Sequence, residues 1–336
     1  MTETLATLSN NTLYSATVVY ALAMLAHVAE WAMAHRLPAD VSPAGRGQRS
    51  ALVPSGASSA SVGGEAPPAV APPPVASEEE VERSDRYGRI GLALTVLGLL
   101  LHAVGVVSRG IAAERVPWGS MYEFSITGSL AVAVAYVFLV RRYRIRWLGL
   151  LVTGFLLAVL GIALLVLYRP VAPLVPALHS YWLAIHVSAA AIAGGAFTVG
   201  ALASVLYLLR DRLEAKAAAQ PALPRRGFLW RTPSALDIDR VAYRVHAFAF
   251  PLWTFAVLAG AIWAEYAWGR YWGWDPKEVW ALITWVVYAA YLHARATAGW
   301  QGRAAAYVAL LGYATFIFNF VGINLFGSGL HAYSGL

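Results

Sequence analysis

An all-α helix bundle embedded in a lipid bilayer, polytopic with about eight transmembrane helices, is the fold class that the sequence predicts. Three observations carry that reading. Of the 336 residues 59% are hydrophobic and 13% are charged, outside the usual balance of a soluble domain. Several uncharged stretches reach the roughly 20 residues that a helix rising 1.5 Å per residue needs to cross a bilayer. Basic residues gather in alternate loops, the bias that orients membrane spans.

The spans fall near 13–34, 90–107, 124–140, 147–167, 183–209, 241–263, 277–294 and 304–322. No basic region precedes the first apolar run, so that run reads as a retained span and not a cleaved signal; residues 1–36 form a unit with it. Residues 37–89, which include PPAVAPPP, bury too little apolar surface to offset the entropy of ordering and read as a disordered cytoplasmic linker. The remaining seven spans, 90–336, form one domain. Its loops RRYRIR (141–146), 210–240 with seven Arg and Lys, and HARATAGWQGR (293–303) belong on the cytoplasmic side. Both termini, the loops 108–123, 168–182 and 264–276, and the C-terminal tail then face outward.

Composition also excludes several chemistries. The net charge of +7 is explained by the positive-inside bias, without a soluble basic patch that would bind nucleic acid. With no cysteine, disulfides, thiolate ligands and a cysteine nucleophile are absent. Any metal or haem must be held by His, Met, Asp, Glu or Tyr. No Ser-His-Asp set or carboxylate pair offers a hydrolytic site.

The stretch YWGWDPKEVW, residues 271–280, concentrates aromatics and charges on the outer side. Asp275, Pro276, Lys277 and Glu278 have the spacing of an N-cap, a first-turn proline and a capping-box glutamate, and Trp and Tyr gather at bilayer interfaces without any ligand. Trp263, Trp268, Tyr271, Trp272, Trp274 and Trp280 nevertheless supply more flat apolar area than a belt requires. Such area suits a planar macrocycle, to which stacking adds roughly 0.5–1.5 kcal/mol beyond burial. A porphyrin is the candidate, with Lys277, Arg270 and Arg169 at the same level to meet its carboxylates.

In a chain without cysteine, imidazole is the ready ligand for haem iron. His186, after SYW at the start of the fifth span, and His331, in the tail, lie at the depth of the aromatic cluster, and either could instead be an interfacial histidine bonded to a carbonyl or water. His293 ends the seventh span, 17 residues or about 26 Å of helix from Pro276, so it cannot reach the same iron; it marks a second station or a helix end stabilised by the dipole. Helix packing accounts for His102 and His246. His27 and His35 are not expected to be ligands, and His179 reads as a loop residue. The loop PWGSMYEFS, 117–125, either closes over a ligand or re-enters the interface, and Asn319 and Asn324 cap a helix or bond across helices.

On AWGRYWGWDPKEVWALITWVVYAAYLHAR (267–295), the flanking histidines and SYWLAIHV (180–187), the chain resembles the haem-handling family with the tryptophan-rich WWD domain, in its CcsA or ResC form, labelled CcsB in some bacteria. The resemblance runs from about residue 90 to 336. It implies System II cytochrome c maturation in the bacterial cytoplasmic membrane: transmembrane delivery of haem b and its presentation outside for thioether attachment to apocytochrome c. It makes His186 and His331 the outer axial pair, His293 the transmembrane histidine, and Trp272, Trp274 and Asp275 the core of the platform. It further implies a CcsB/ResB-type membrane subunit that supplies the other inner ligand, an apocytochrome c with a CxxCH motif, and a thioredoxin-like thiol reductant. The chain would then be the haem-binding part of a two-subunit cytochrome c synthase, a haem lyase. The linker is longer than the resemblance implies. A bis-histidine electron carrier of the membrane, a small-solute transporter and a scaffold are the rival readings.

Overall fold

The computed structural model describes residues 2–34, 78–172, 178, 180–222, 224–297, 299–327 and 329–331. Among them the chain is helical with no sheet: α1 (Thr2–Ala34), α2 (Glu78–Ala112), α3 (Met121–Tyr143), a 3-10 turn leading into α4 (Gly149–Leu165), α5 (Tyr181–Ala219), the short α6 (Phe228–Arg231), α7 (Ala235–Trp268), α8 (Pro276–Thr297), α9 (Arg303–Ile317), a π-helical turn (Phe318–Gly322) and α10 (Ile323–Phe326). All eight expected spans are found as helices. Seven are long and apolar enough to cross a membrane. The other is α8, whose Lys277, Glu278, His293 and Arg295 lower its hydropathy.

Helices α1 and α2 run antiparallel, Ser9 Oγ donating to Gly105 O at 2.7 Å near one end and Ser84 Oγ to Glu30 O at 3.3 Å near the other. The buried positions of α2, Ser84, Gly88, Gly91, Thr95, Gly98, His102 and Gly105, alternate by four and three residues, the period of a left-handed helix pair. Where a glycine omits its Cβ, α1 inserts a larger side chain: Leu13 at Gly105, Tyr20 at Gly98, His27 at Gly91 and Glu30 at Gly88. The helix begins at Glu78, so residues 78–89 are helical and not linker. Three glutamates in its first turn suit the positive end of the helix dipole, and Asp85 meets Arg146 at 3.0 Å. Residues 37–77 of the expected linker lie outside the described residues.

Helix α5 is the centre of the bundle, packed against α3, α7 and α9. Its sequence explains the position, because AAAIAGGAFTVGALAS (189–204) is small and apolar all round, and such a helix is buried with its neighbours drawn close. At Gly195 a Cβ would stand 2.8 Å from the backbone C and O of Ala131 on α3, atoms that cannot turn aside as a side chain can. Gly195→Ala is therefore expected to destabilise the bundle by about 1–3 kcal/mol through overpacking. Thermal unfolding in detergent checks this against Gly161→Ala, a position with nothing within 4 Å, which should be neutral or slightly stabilising.

Three buried histidines inside this frame have structural neighbours. His102 Nε2 donates to Ile126 O at 2.8 Å, His27 Nδ1 lies 3.1 Å from Glu30 Oε2, and His246 packs beside Phe197 and Tyr288 in the notch at Gly200. The packing role expected of His102 and His246 is what their surroundings contain.

Candidate functional site

One end of the bundle, where α8 begins, holds a cavity that opens to the surface and is walled chiefly by apolar side chains. Its wall takes Met121 and Phe124 from α3, Trp253 and Trp263 from α7, and Phe316 and Phe320 from α9 and the π-helical turn. His186 and His331 both line it.

The two histidines are prepared in the same way. Ser180 caps α5, its Oγ accepting from Trp182 N at 3.2 Å, and this starts the helix so that His186 follows in the second turn. His186 Nδ1 lies 2.7 Å from Ala256 O on α7. A carbonyl only accepts, so Nδ1 donates and the neutral ring keeps its lone pair on Nε2. Gly260 makes the ring's place, since a Cβ there would meet Cε1 and Nδ1 at 2.7 Å. His331 Nδ1 lies 2.8 Å from Asp275 Oδ2, and the carboxylate likewise assigns the proton to Nδ1 and the lone pair to Nε2. Burial pushes the His331 ring below its ordinary pKa of 6.5, against the pull of Asp275, which keeps the ring neutral near pH 7. A histidine whose second nitrogen is anchored in this way is the arrangement commonly seen around bound metals.

Asp275, expected in the core of the platform, is not in the cavity lining and organises the start of α8. It caps α8, Oδ2 accepting from Lys277 N at 3.2 Å, while Glu278 Oε2 accepts from Asp275 N at 3.1 Å and Gly273 N at 2.8 Å. The capping box read from the spacing is thus present. The same carboxylate takes Leu330 N on Oδ1 at 2.7 Å and so ties the tail, with His331, to the start of α8.

The aromatics divide into those that line the cavity and those that do not. Trp263 lies nearly parallel to the His186 ring at 6.1 Å and edge-on to His331 at 5.4 Å, so one indole bridges the two imidazoles. Trp268 sits behind, 4.7 Å from His331 and 4.8 Å from Trp263. Tyr271, Trp272 and Lys277 line the cavity. Trp274 stands outside the lining, 70% exposed and edge-on to Trp272 at 5.9 Å, because its backbone takes the left-handed conformation with φ 58° that turns the chain into the cap. Trp280 also stands outside, 4.2 Å from Phe318. Of the six aromatics expected to form the platform, Trp263, Tyr271 and Trp272 line the cavity, and Trp268, Trp274 and Trp280 do not.

His293 does not join the set. It is exposed on α8, about 26 Å of helix from Pro276. Arg270 is exposed, and His179 lies outside the described residues. Part of the cavity was weakly signalled or unmarked in the sequence: Trp118 comes from the loop before α3 and Met121 from the first turn of α3, Asn319 and Asn324 from the end of the last span, and Trp253 and Phe316 from within α7 and α9, at positions that look like ordinary core.

Comparison with known proteins shows the family. The chain is 34% identical over 259 residues to the cytochrome c biogenesis protein CcsA of Guillardia theta, covering 74% of this chain and 86% of that protein. It is 36% identical over 289 residues to the CcsA of Microcystis aeruginosa, covering 73% and 87%, and 32% identical over 286 residues to that of Porphyra purpurea, covering 76% and 90%. The family model described as cytochrome C assembly protein matches residues 118–331, a span that opens at the Trp118 wall of the cavity and closes on His331. The chain belongs to the cytochrome c assembly protein family, of the CcsA/ResC type.

Proposed function

We propose that the cavity receives haem b as a transported substrate and presents it, outside the cytoplasmic membrane of a bacterium, for covalent attachment to apocytochrome c. The observation that carries this reading is the pair of anchored imidazoles. Two histidines whose Nδ1 atoms are bonded, leaving each Nε2 lone pair unused, line one tryptophan-walled cavity, and among the described residues no group of three or more His, Cys, Asp or Glu could hold a bare ion. Two nitrogens are too few for a free metal and the right number for iron whose other four positions are filled by a porphyrin. Lys277 is the cation of the cavity wall and supplies the charge to meet a propionate.

In this reading the chain's own residues bind, orient and shield. His186 and His331 hold the iron from the two faces, Trp263 and Trp272 hold the ring, and the open side leaves a vinyl edge accessible. Bound haem supplies the vinyl groups, and a thiol of the CxxCH motif adds across each, its sulfur taking one carbon and its proton the other. Positioning is the contribution of this protein. Whether the synthase activity resides in this chain or in a two-subunit complex depends on a CcsB/ResB-type membrane subunit, which brings a histidine to meet His293 at an inner station; a thioredoxin-like reductant keeps the substrate thiols reduced. The exposed side of His293 suits a ligand or partner outside the bundle.

Absorption spectra of the purified complex test the assignment. His186→Gly and His331→Gly are each expected to lose the low-spin bis-histidine spectrum, and added imidazole to restore it. Spectra unchanged in both variants would remove the basis for the axial pair. Tightly held haem that is reversibly reduced but never reaches apocytochrome would favour an electron carrier instead.

A further inference from the structure

The end of the bundle that bears the cavity also holds a buried cluster of charge that the reading above does not use. Arg109 and Glu123 are each about 1% exposed. Glu123 Oε1 accepts from Arg109 Nε at 3.0 Å, and Oε2 accepts from Arg115 at 2.6 Å and from the backbone N of Gly119 at 2.8 Å. The two guanidiniums reach on to the loop after α4, Arg109 donating to Arg169 O at 2.8 Å and Arg115 to Ala172 O at 3.2 Å. One carboxylate thereby fastens the end of α2, the loop 113–120 and the loop after α4.

Gly119 follows Trp118, and Trp118 has a particular place. With Leu178 and Leu183 it lines both the ligand cavity and a second cleft that opens beside Arg115, Ser180 and Tyr181. Its indole Nε1 is buried with no hydrogen-bond partner. No hydrogen bond from that nitrogen fixes the ring, which therefore depends on the backbone on either side of it, and on the next residue that backbone is gripped by Glu123. Buried ion clusters are weak contributors to stability against an apolar replacement of like volume, because desolvation opposes them. A cluster of two arginines on one carboxylate is better explained by the geometry it imposes.

We propose that Glu123 is a positioning residue which, with Arg109 and Arg115, holds Trp118 as the partition between the ligand cavity and the second cleft. The position of Trp118 then decides whether the two spaces communicate, and with it whether the side of the cavity toward Leu183 is closed. This deepens the haem reading in one respect, since the cavity is the one assigned to haem, but the partition exists whatever the ligand.

The absence of native cysteine makes the test direct. A single Val187→Cys, which lines the ligand cavity and not the second cleft, is labelled with a water-soluble maleimide in the full-length, detergent-solubilised protein, alone and combined with Glu123→Gln. The labelling rate is expected to rise at least 10-fold in the combined variant. Tyr181→Cys, on the second cleft and 65% exposed, is expected to react at the same rate in both backgrounds. Arg115→Ala, which leaves the Arg109–Glu123 pair, serves where Glu123→Gln fails to accumulate and should give a smaller rise of the same sign. Equal Val187→Cys rates with and without the substitution would overturn the proposal, and so would an equal acceleration at Tyr181→Cys, which would signify general loosening. The readout needs no haem, so it stands apart from the spectra that test the ligands.

Discussion

If His331 ligates haem as proposed, Asp275→Ala is expected to lower haem affinity by about 10–100-fold, the usual effect of removing a carboxylate that anchors a ligating histidine. The carboxylate fixes the donor nitrogen of His331, receives Leu330 N and caps α8 through Lys277 N. Loss of the cap alone costs about 1 kcal/mol of helix stability. Asp275→Asn separates the roles in part: its one oxygen can still cap α8 and accept from His331 Nδ1, but its amide nitrogen then faces Leu330 N, a donor against a donor, so it should keep the cap, loosen the tail and lose part of the affinity. Haem titration of the single variants and of Asp275→Ala combined with His331→Ala decides the matter. If Asp275 acts through His331, the double variant binds no more weakly than His331→Ala alone; independent, additive losses would show that it acts elsewhere.

What the sequence makes legible follows the range of the interaction. The helices are visible because their apolar runs are local, and the capping box is visible because four consecutive residues write it. His186 and His331 are 145 positions apart by number and were brought to one cavity by depth in the membrane, which loop charge encodes. The anchors of those histidines were not legible. Ala256 contributes a backbone carbonyl, which carries no residue signature, and the Gly260 notch is meaningful only once α5 and α7 are packed. Trp274 and Trp272 look alike in sequence, and only the left-handed turn at Trp274 separates an exposed ring from a lining one. The start of α2 at Glu78 was hidden because Ser84 and Asp85 are stabilised by Arg231 and Arg146 from distant segments, so local polarity alone read as linker.

Asp239→Ala is expected to destabilise the protein by about 3–5 kcal/mol, the cost of leaving one member of a buried ion pair without its partner. Arg295 near the end of α8 donates to both oxygens of Asp239 on α7, at 2.8 and 3.0 Å, and both side chains are under 10% exposed. The guanidinium also stacks over Tyr243 at 4.6 Å, so it cannot move to water without losing that contact. The pair matters because α8 is the one long helix outside the seven apolar enough to cross a membrane on composition alone, and its docking leans on polar clasps along its length. Trp285 Nε1 donates to Thr254 Oγ1 at 2.9 Å, Thr284 Oγ1 to Thr315 Oγ1 at 3.1 Å, and Asp275 ties its start to the tail. Replacing both partners, as Asp239→Leu with Arg295→Met, should recover most of the loss, since no charge is then buried alone. Chemical unfolding in mixed micelles measures both variants, and haem affinity at the far end of α8 should stay within twofold of the parent wherever the protein is folded. A double variant as unstable as Asp239→Ala would mean that α8 is held by packing at that end, and that its low hydropathy is balanced somewhere other than in its ion pair.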